Sequence, residues 1–284
     1  MSEWTLVHDR GPGWGHERRM RALARSLESR GAAVVVRPLA DDPVRAARLV
    51  IDSYAFRADD RERFEAERIV AFEDLGRDLA VDLLVAAVPG ADAGRHPSAS
   101  AVLAGAPYAV IDPAVRELEP RPPARPVERV LVSFGAADLR GLASTVAGEI
   151  AQRLPEARVE LPVGPWWDGP VPDGVEAVSS PGGLAPRLAG AGLAVIAGGV
   201  TLLEALALAR PAVAIEMAEN QRTALEHAAA AGAVVRSEPG SAAGDAAALA
   251  ADAGRRVELA ASAGRLIDGR GAARVADAVL ALGD

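Results

Sequence analysis

The feature that most limits the fold of this chain is a repeated order: a short apolar run, a glycine turn, then a helical pattern. Trp4 to Val7, Ala33 to Arg37, Leu49 to Asp52, Ile69 to Phe72 and Leu83 to Ala86 read as buried parallel strands. After the first of them Met20, Leu23, Ala24 and Leu27 recur at helical spacing, and Gly31 stands where a C-terminal cap belongs. The rhythm restarts with Arg129 to Phe134, Val159 to Val163, Leu193 to Ala197 and Ala212 to Glu216, interleaved with helices over 142–154, 201–209 and 220–231. Between the two series lies EPRPPARPV, which can continue neither a helix nor a central strand. The expected organisation is therefore an α/β domain over 1–119, a linker over 120–127, and a second α/β domain over 128–284. The alanine-rich tail from Asp245 to Leu282 reads as two helices, the last of them able to cross back to the first domain.

Composition excludes more than it assigns. The chain has no cysteine, which removes disulfides and thiolate chemistry and leaves histidine and carboxylate as the only metal-ligand types. All 31 basic residues are arginine, and 16 of them face 20 acids in residues 1–119. Both parts are thus mildly acidic, with a net charge of -8 overall, and neither offers a basic patch for nucleic acid or anionic lipid. The N-terminus lacks a signal-peptide pattern and no segment runs long enough without charge to span a bilayer, so a cytoplasmic protein without stable membrane association is expected. Nothing in the sequence sets an oligomeric state.

Two segments carry residues suited to chemistry. In HDRGPGWGHERR, Gly11, Gly13 and Gly15 follow a strand and open a helix, a place where backbone amides and the helix dipole meet anions. The spacing is G-x-G-x-G, and the second strand ends in Arg37 and Pro38 without an acid for a ribose, so a dinucleotide site is disfavoured. His16 sits near that helix start, where the dipole opposes imidazolium and would keep a neutral, proton-accepting ring. Its plain alternative is a solvent-facing first-turn residue. In AGGVTLLEALALARPAVAIEMAENQ, Thr201 and Glu204 fit the capping box T-x-x-E, while Asn220 and Gln221 open a further helix. Trp166 and Trp167 read as a lid or as packing.

These residues, together with IDSY at 51–54, Phe72-Glu73-Asp74, VSFGAAD at 132–138 and IDGRGAARVADAV at 267–279, occur in an order that resembles the nucleotide-sugar hydrolases of pseudaminic acid biosynthesis and their spore-coat polysaccharide relatives. The resemblance implies a GT-B-like fold of two Rossmann-like domains facing a central cleft. It implies metal-independent, inverting hydrolysis of a UDP-linked 2,4-diacetamido-2,4,6-trideoxyhexose, releasing UDP and free sugar with no cofactor. By that resemblance His16 activates water, Asp52 and Tyr54 orient the histidine or the sugar, and Gly13, Gly15, Arg19 and Tyr108 line the sugar. Glu204 would hold the ribose, with Gly198, Gly199, Thr201, Asn220 and Gln221 around the diphosphate and Gly135 and Asp138 bordering the same nucleotide. The chain departs from the family in the short His8-Asp9-Arg10 turn, the part expected to alter the sugar. The alternative activity is inverting glycosyl transfer from a nucleotide sugar to a hydroxyl acceptor; a nucleotide-sugar binding module without turnover is the non-enzymatic reading.

Overall fold

The computed structural model describes residues 3–10, 15–60, 63–135, 141–165 and 167–283. In chain order the elements are β1 (Trp4–His8), α1 (Gly15–Glu28), β2 (Val34–Pro38), β3 (Val44–Asp52), β4 (Phe64–Phe72), β5 (Leu83–Ala86), β6 (Val102–Ala104), β7 (Arg129–Ser133) and α2 (Leu142–Arg153). They continue with β8 (Arg158–Pro162), β9 (Val175–Val178), α3 (Ala185–Gly190), β10 (Leu193–Ala197), α4 (Val200–Ala207), β11 (Ala212–Ile215), α5 (Arg222–Ala230), β12 (Val235–Ser237), α6 (Ala242–Ala251), α7 (Ala253–Leu266) and α8 (Gly271–Ala281). Two compact units result, Met1–Pro113 with Gly269–Asp284, and Ala114–Asp268. Each holds one six-stranded sheet, in the orders β2-β1-β3-β4-β5-β6 and β12-β11-β10-β7-β8-β9. Every strand pairing among the described residues is parallel.

In the first unit the period-2 alternation of side chains divides the core into two faces. Trp4, Leu6, Val50, Val70, Phe72 and Val85 point to one, where α1 brings Met20, Leu23 and Leu27 and α8 brings Val275, Ala276 and Val279. Val7, Leu49, Ile51, Ile69 and Leu84 point to the other. Among the described residues, no α-helix contributes to that second face. Leu39, Phe56, Leu79 and Val81, all from connections between strands, close it instead. The strict alternation of strand and helix expected for this part is therefore corrected: among the described residues, the connections from β2 through β6 contain no α-helix. Their Asp, Pro and Arg content, as in ADDP and RADDRE, supplies no 3.6-residue apolar period that a helix could bury.

β3 and β4 each run five residues further upstream than the apolar runs suggested. The added halves, VRAAR and FEAER, alternate small or apolar residues with charges, and Arg45 meets Glu65 across the pair at 3.1 Å. β6 and β12, three residues each, are too short to show a period and escape sequence reading.

The C-terminal tail is corrected from two helices to three. Asp252 adopts an extended conformation and its carboxylate accepts from the Arg255 amide at 2.8 Å, ending α6 and capping α7. The last helix, α8, belongs to the first unit and packs on α1. Arg30 ties the two through Asp277 at 2.5 Å and the Ala273 carbonyl at 3.2 Å. Gly271 makes the docking possible, because a Cβ there would lie 2.1 Å from the Ala109 carbonyl oxygen. Gly271→Ala must push the start of α8 off this backbone and is expected to cost about 3 kcal/mol by overpacking, read as a lowered urea midpoint.

In the second unit, buried arginines pin the proline-rich segment by its carbonyls. Arg210 donates to Arg121 at 2.6 Å, and Arg256 donates to Pro123 and Arg125 at 3.0 Å each. Desolvation lowers the Arg210 pKa to about 10, so the group remains a cation at neutral pH while bonding only main-chain oxygens.

Candidate functional site

In a parallel sheet whose strand order reverses, the carboxyl ends of the two strands flanking the reversal leave a crevice where ligands bind. The first sheet reverses between β1 and β3, since β2 lies on one side of β1 and β3 on the other. His8 and Asp52 are register partners at that point, and the Asp9 amide donates to the Asp52 carbonyl at 3.1 Å. The two strand ends therefore deliver Asp9, Asp52 and Tyr54 to one spot, and the first turn of α1 adds His16 and Arg19.

The contacts there are close. His16 Nδ1 lies 2.7 Å from Asp52 Oδ1. Arg19 donates from Nε to Asp52 Oδ2 at 2.7 Å and from one terminal nitrogen to Oδ1 at 2.6 Å, a bidentate pair. Its other terminal nitrogen donates to Asp74 Oδ2 at 2.7 Å, and the guanidinium lies 5.0 Å from the Phe72 ring centre. Tyr54 sets its ring edge against the imidazole, with centroids 4.8 Å apart and planes at 83°. The Tyr54 amide is fixed by Asp9 Oδ2 at 2.8 Å.

Asp52 is 1 % exposed. Burial alone would raise its pKa, but the Arg19 charge and the hydrogen bonds from His16 and Arg19 hold it far below the ordinary carboxylate range. An ionised Asp52 can only accept, so Nδ1 of a neutral His16 must carry the proton and Nε2 must be the basic nitrogen. Nε2 has no hydrogen-bond partner among the described residues. For His16 burial disfavours the cation, yet the Asp52 hydrogen bond and charge, aided by Asp74, more than offset it and raise the pKa above 6.5. The helix-dipole expectation of a depressed histidine is thereby corrected: the dipole of one helix end is weaker than a buried carboxylate at hydrogen-bond distance.

The residues expected on the sugar fare differently. Arg19, 6 % exposed, is turned onto Asp52 and Asp74. Tyr108 packs on the core face shared by α1 and α8. Gly15 opens α1, whereas Gly13 lies outside the described residues.

Sequence reasoning gave no role to Glu73, Asp74 or Arg77, and it placed Asp9 only in the turn expected to alter the sugar. Glu73 accepts from the Leu75 amide at 2.5 Å and from Arg77 Nε at 2.6 Å, and Arg77 in turn donates to the Tyr54 carbonyl at 3.0 Å. Glu73 and Arg77 thus secure the loop that presents Tyr54. The available signal was a pair of adjacent acids closing a buried strand, Phe72-Glu73-Asp74.

The second sheet reverses between β7 and β10, where Ser133 and Ile196 are register partners. Gly135, with φ of +116°, follows one strand end, and Gly198 and Gly199 follow the other. Gly198 is packed so tightly that a Cβ would lie 2.7 Å from the Leu225 side chain. The expected Thr201 capping box is corrected: α4 starts at Val200 with Gly199 as its cap, so Thr201 lies inside the first turn and Glu204 is not its N3 partner. Glu204 is 5 % exposed, carried by an otherwise apolar helix. Asn220 and Gln221 lie in a 3-10 turn, Glu219–Gln221, that precedes α5. Gln221 Oε1 accepts from the Gly198 amide at 3.2 Å and the Met217 amide at 2.9 Å, tying two strand ends together and leaving only its amide nitrogen for a ligand. Asp138 and Trp166 lie outside the described residues, and Trp167 packs on the core with Nε1 donating to Gly169 at 2.7 Å.

The match to known folds runs the length of the chain. Acinetobacter baumannii MurG superposes with a TM-score of 0.65 at 13 % identity over 99 % of this chain and all of that one. The glycotransferase of kitacinnamycin gives 0.63 at 17 % identity over 99 % and 98 % of the two chains. The spinosyn rhamnosyltransferase SpnG, solved with thymidine diphosphate, gives 0.62 at 15 % identity over both full lengths. The chain has the GT-B glycosyltransferase fold. No protein-family model and no curated protein matches it by sequence. No helix among the described residues is long and apolar enough to cross a membrane.

Proposed function

We propose that this protein is an inverting glycosyltransferase that uses a nucleoside diphosphate sugar as donor and a hydroxyl compound as acceptor. The observation that carries this reading is the His16–Asp52 pair at 2.7 Å, which fixes the tautomer and leaves Nε2 to take a proton. In the step, the acceptor oxygen bonds to the anomeric carbon as the bond from that carbon to the diphosphate oxygen breaks. The acceptor proton passes to Nε2, and the electron pair leaves with the diphosphate. Asp52 stabilises the imidazolium so formed, and Tyr54 buttresses the ring. On this reading Glu204 accepts from the ribose hydroxyls, while the Gly198-Gly199 turn at the start of α4, Thr201, Asn220 and the Gln221 amide nitrogen attend the diphosphate. Likeness to glycosyltransferase structures supports transfer, although at these identities it carries the fold alone.

Water as acceptor is the second reading, favoured by the order of GWGHERR, IDSY, FED, GGVTLLEAL and ENQ along the chain. It makes the substrate a UDP-linked deoxyamino sugar. One experiment separates the two. UDP- and TDP-sugars are incubated in ¹⁸O-water with and without a panel of alcohols. Diphosphate release only with an alcohol, giving a glycoside of inverted configuration, supports transfer; ¹⁸O in free sugar without any alcohol selects hydrolysis. Release from none of the donors overturns both.

Either reaction should also show an acid limb in kcat/KM. The base works when neutral, so the rate rises with pH through the His16 pKa, and the limb is expected above 6.5. A limb below that value would remove His16 in this setting as the base.

A further inference from the structure

Asp74 is the second residue after β4, and its side chain is 7 % exposed. Oδ2 accepts from Arg19, whereas Oδ1 is fully buried and has no hydrogen-bond partner among the described residues. One guanidinium therefore bridges two buried carboxylates, Asp52 and Asp74. With His16 neutral the four side chains carry one net negative charge; with His16 protonated they carry none. A buried excess charge with an unpartnered oxygen is unfavourable, and a proton on His16 is the nearest means of relieving it.

Resting on the reading of His16 as base, we infer that Asp74 is a positioning residue that clamps Arg19 onto Asp52 and supplies the surplus negative charge that favours protonated His16 as the reaction proceeds. Asp52 favours the imidazolium through its hydrogen bond and charge, Arg19 opposes it, and Asp74 adds to the favourable side. The groups that face His16 are Asp52 at the end of β3, Arg19 on its own helix, Asp74 after β4 and the Tyr54 ring edge, with Asp9 behind the Tyr54 amide. Asp74 and Asp52 share one cation, Arg19, so the second of these two buried carboxylates is not neutralised by a partner of its own. The direction of the His16 shift, in which Asp74 takes part, agrees with this geometry.

The test is Asp74→Asn in the full chain, because an amide oxygen still accepts from Arg19 while the charge is gone. NMR titration of the His16 ring carbon, assigned by comparison with His16→Gln, reads the electrostatics without any substrate. The His16 midpoint is expected to fall below that of wild type. With an active donor and acceptor, the acid limb of kcat/KM should move the same way and the plateau kcat should drop roughly tenfold, the weaker base being the poorer catalyst. Asp74→Ser, whose hydroxyl can also accept from Arg19, gives the same measurement should the asparagine variant not fold. An unmoved midpoint in a folded variant overturns the proposal, and so does a loss of kcat with no change in midpoint, which would mark a purely structural role. If wild type turns over no nucleotide sugar, the proposed reaction falls, yet the titration still decides whether Asp74 sets the His16 charge.

Discussion

Replacing His16 with Gln is expected to lower kcat for release or transfer of the sugar by roughly 10²- to 10⁴-fold, the usual worth of a positioned general base. The side chain is only partly buried, and glutamine can retain the contact to Asp52, so circular dichroism and the urea midpoint should stay close to wild type. Asp52→Asn should lose a similar factor by another route. An amide can present its NH₂ to Nδ1, which then accepts, and the proton moves to Nε2 where it blocks the base. Initial rates above the acid limb, measured on both variants, check the pair. Full activity in His16→Gln would leave the fold in place and remove the assigned chemistry.

Arg19→Met should have the largest effect on stability. It leaves two nearly buried carboxylates facing each other without their shared cation, a change that typically costs about 3–5 kcal/mol. The carboxylates' part in the pH dependence should reverse as well. In wild type the folded-state pKa of Asp52 is depressed, so its contribution is present above the ordinary carboxylate value of about 3.9 and is lost as pH falls below it. Without Arg19 the carboxylates favour protonation in the folded state, so the variant gains stability as the solution is acidified toward that value. Urea denaturation from pH 4 to pH 8 should therefore give a variant whose stability declines with rising pH more steeply than that of wild type, in which the Asp52 contribution stays constant and the His16 contribution is lost as pH rises through its raised pKa. A loss below about 1 kcal/mol would indicate that the cluster is solvated and that Arg19 is a surface ion-pair partner.

Much of this arrangement could be read from the sequence, and what could not has identifiable reasons. His16, Asp52 and Tyr54 were legible because strand ends and helix starts are marked by apolar runs and glycines, and the structure brings those three side chains together. The carboxylate partners of Arg19 were not legible, because an arginine near a helix start has no periodic signature that says whether it faces a ligand or a buried acid. Asp74 was quoted but given no role, since its meaning depends on a partner 55 positions away. The helix-free connections of the first sheet were missed for a different reason. Rhythm predicts strands from local apolarity, but what covers a sheet is set by single side chains such as Phe56 and Leu79 brought in by tertiary contact. Thr201 fitted a local capping pattern, yet the cap lies two residues earlier, at Gly199, a residue type about as common at that position as threonine.

The placement of α8 has a consequence for the newly made chain. Residues 114–268 are contiguous, so the second unit has all its parts as soon as its own last helix has left the ribosome. The first unit does not. Trp4, Met20 and Val70 precede the second unit along the chain, whereas Val275, Ala276 and Val279, which complete their side of the core, follow it. While residues 114–268 are being made, that apolar face waits uncovered beside α1, exposed to aggregation or to a chaperone. The unit that holds His16 and Asp52 therefore completes its core only after the whole of the second unit has been made.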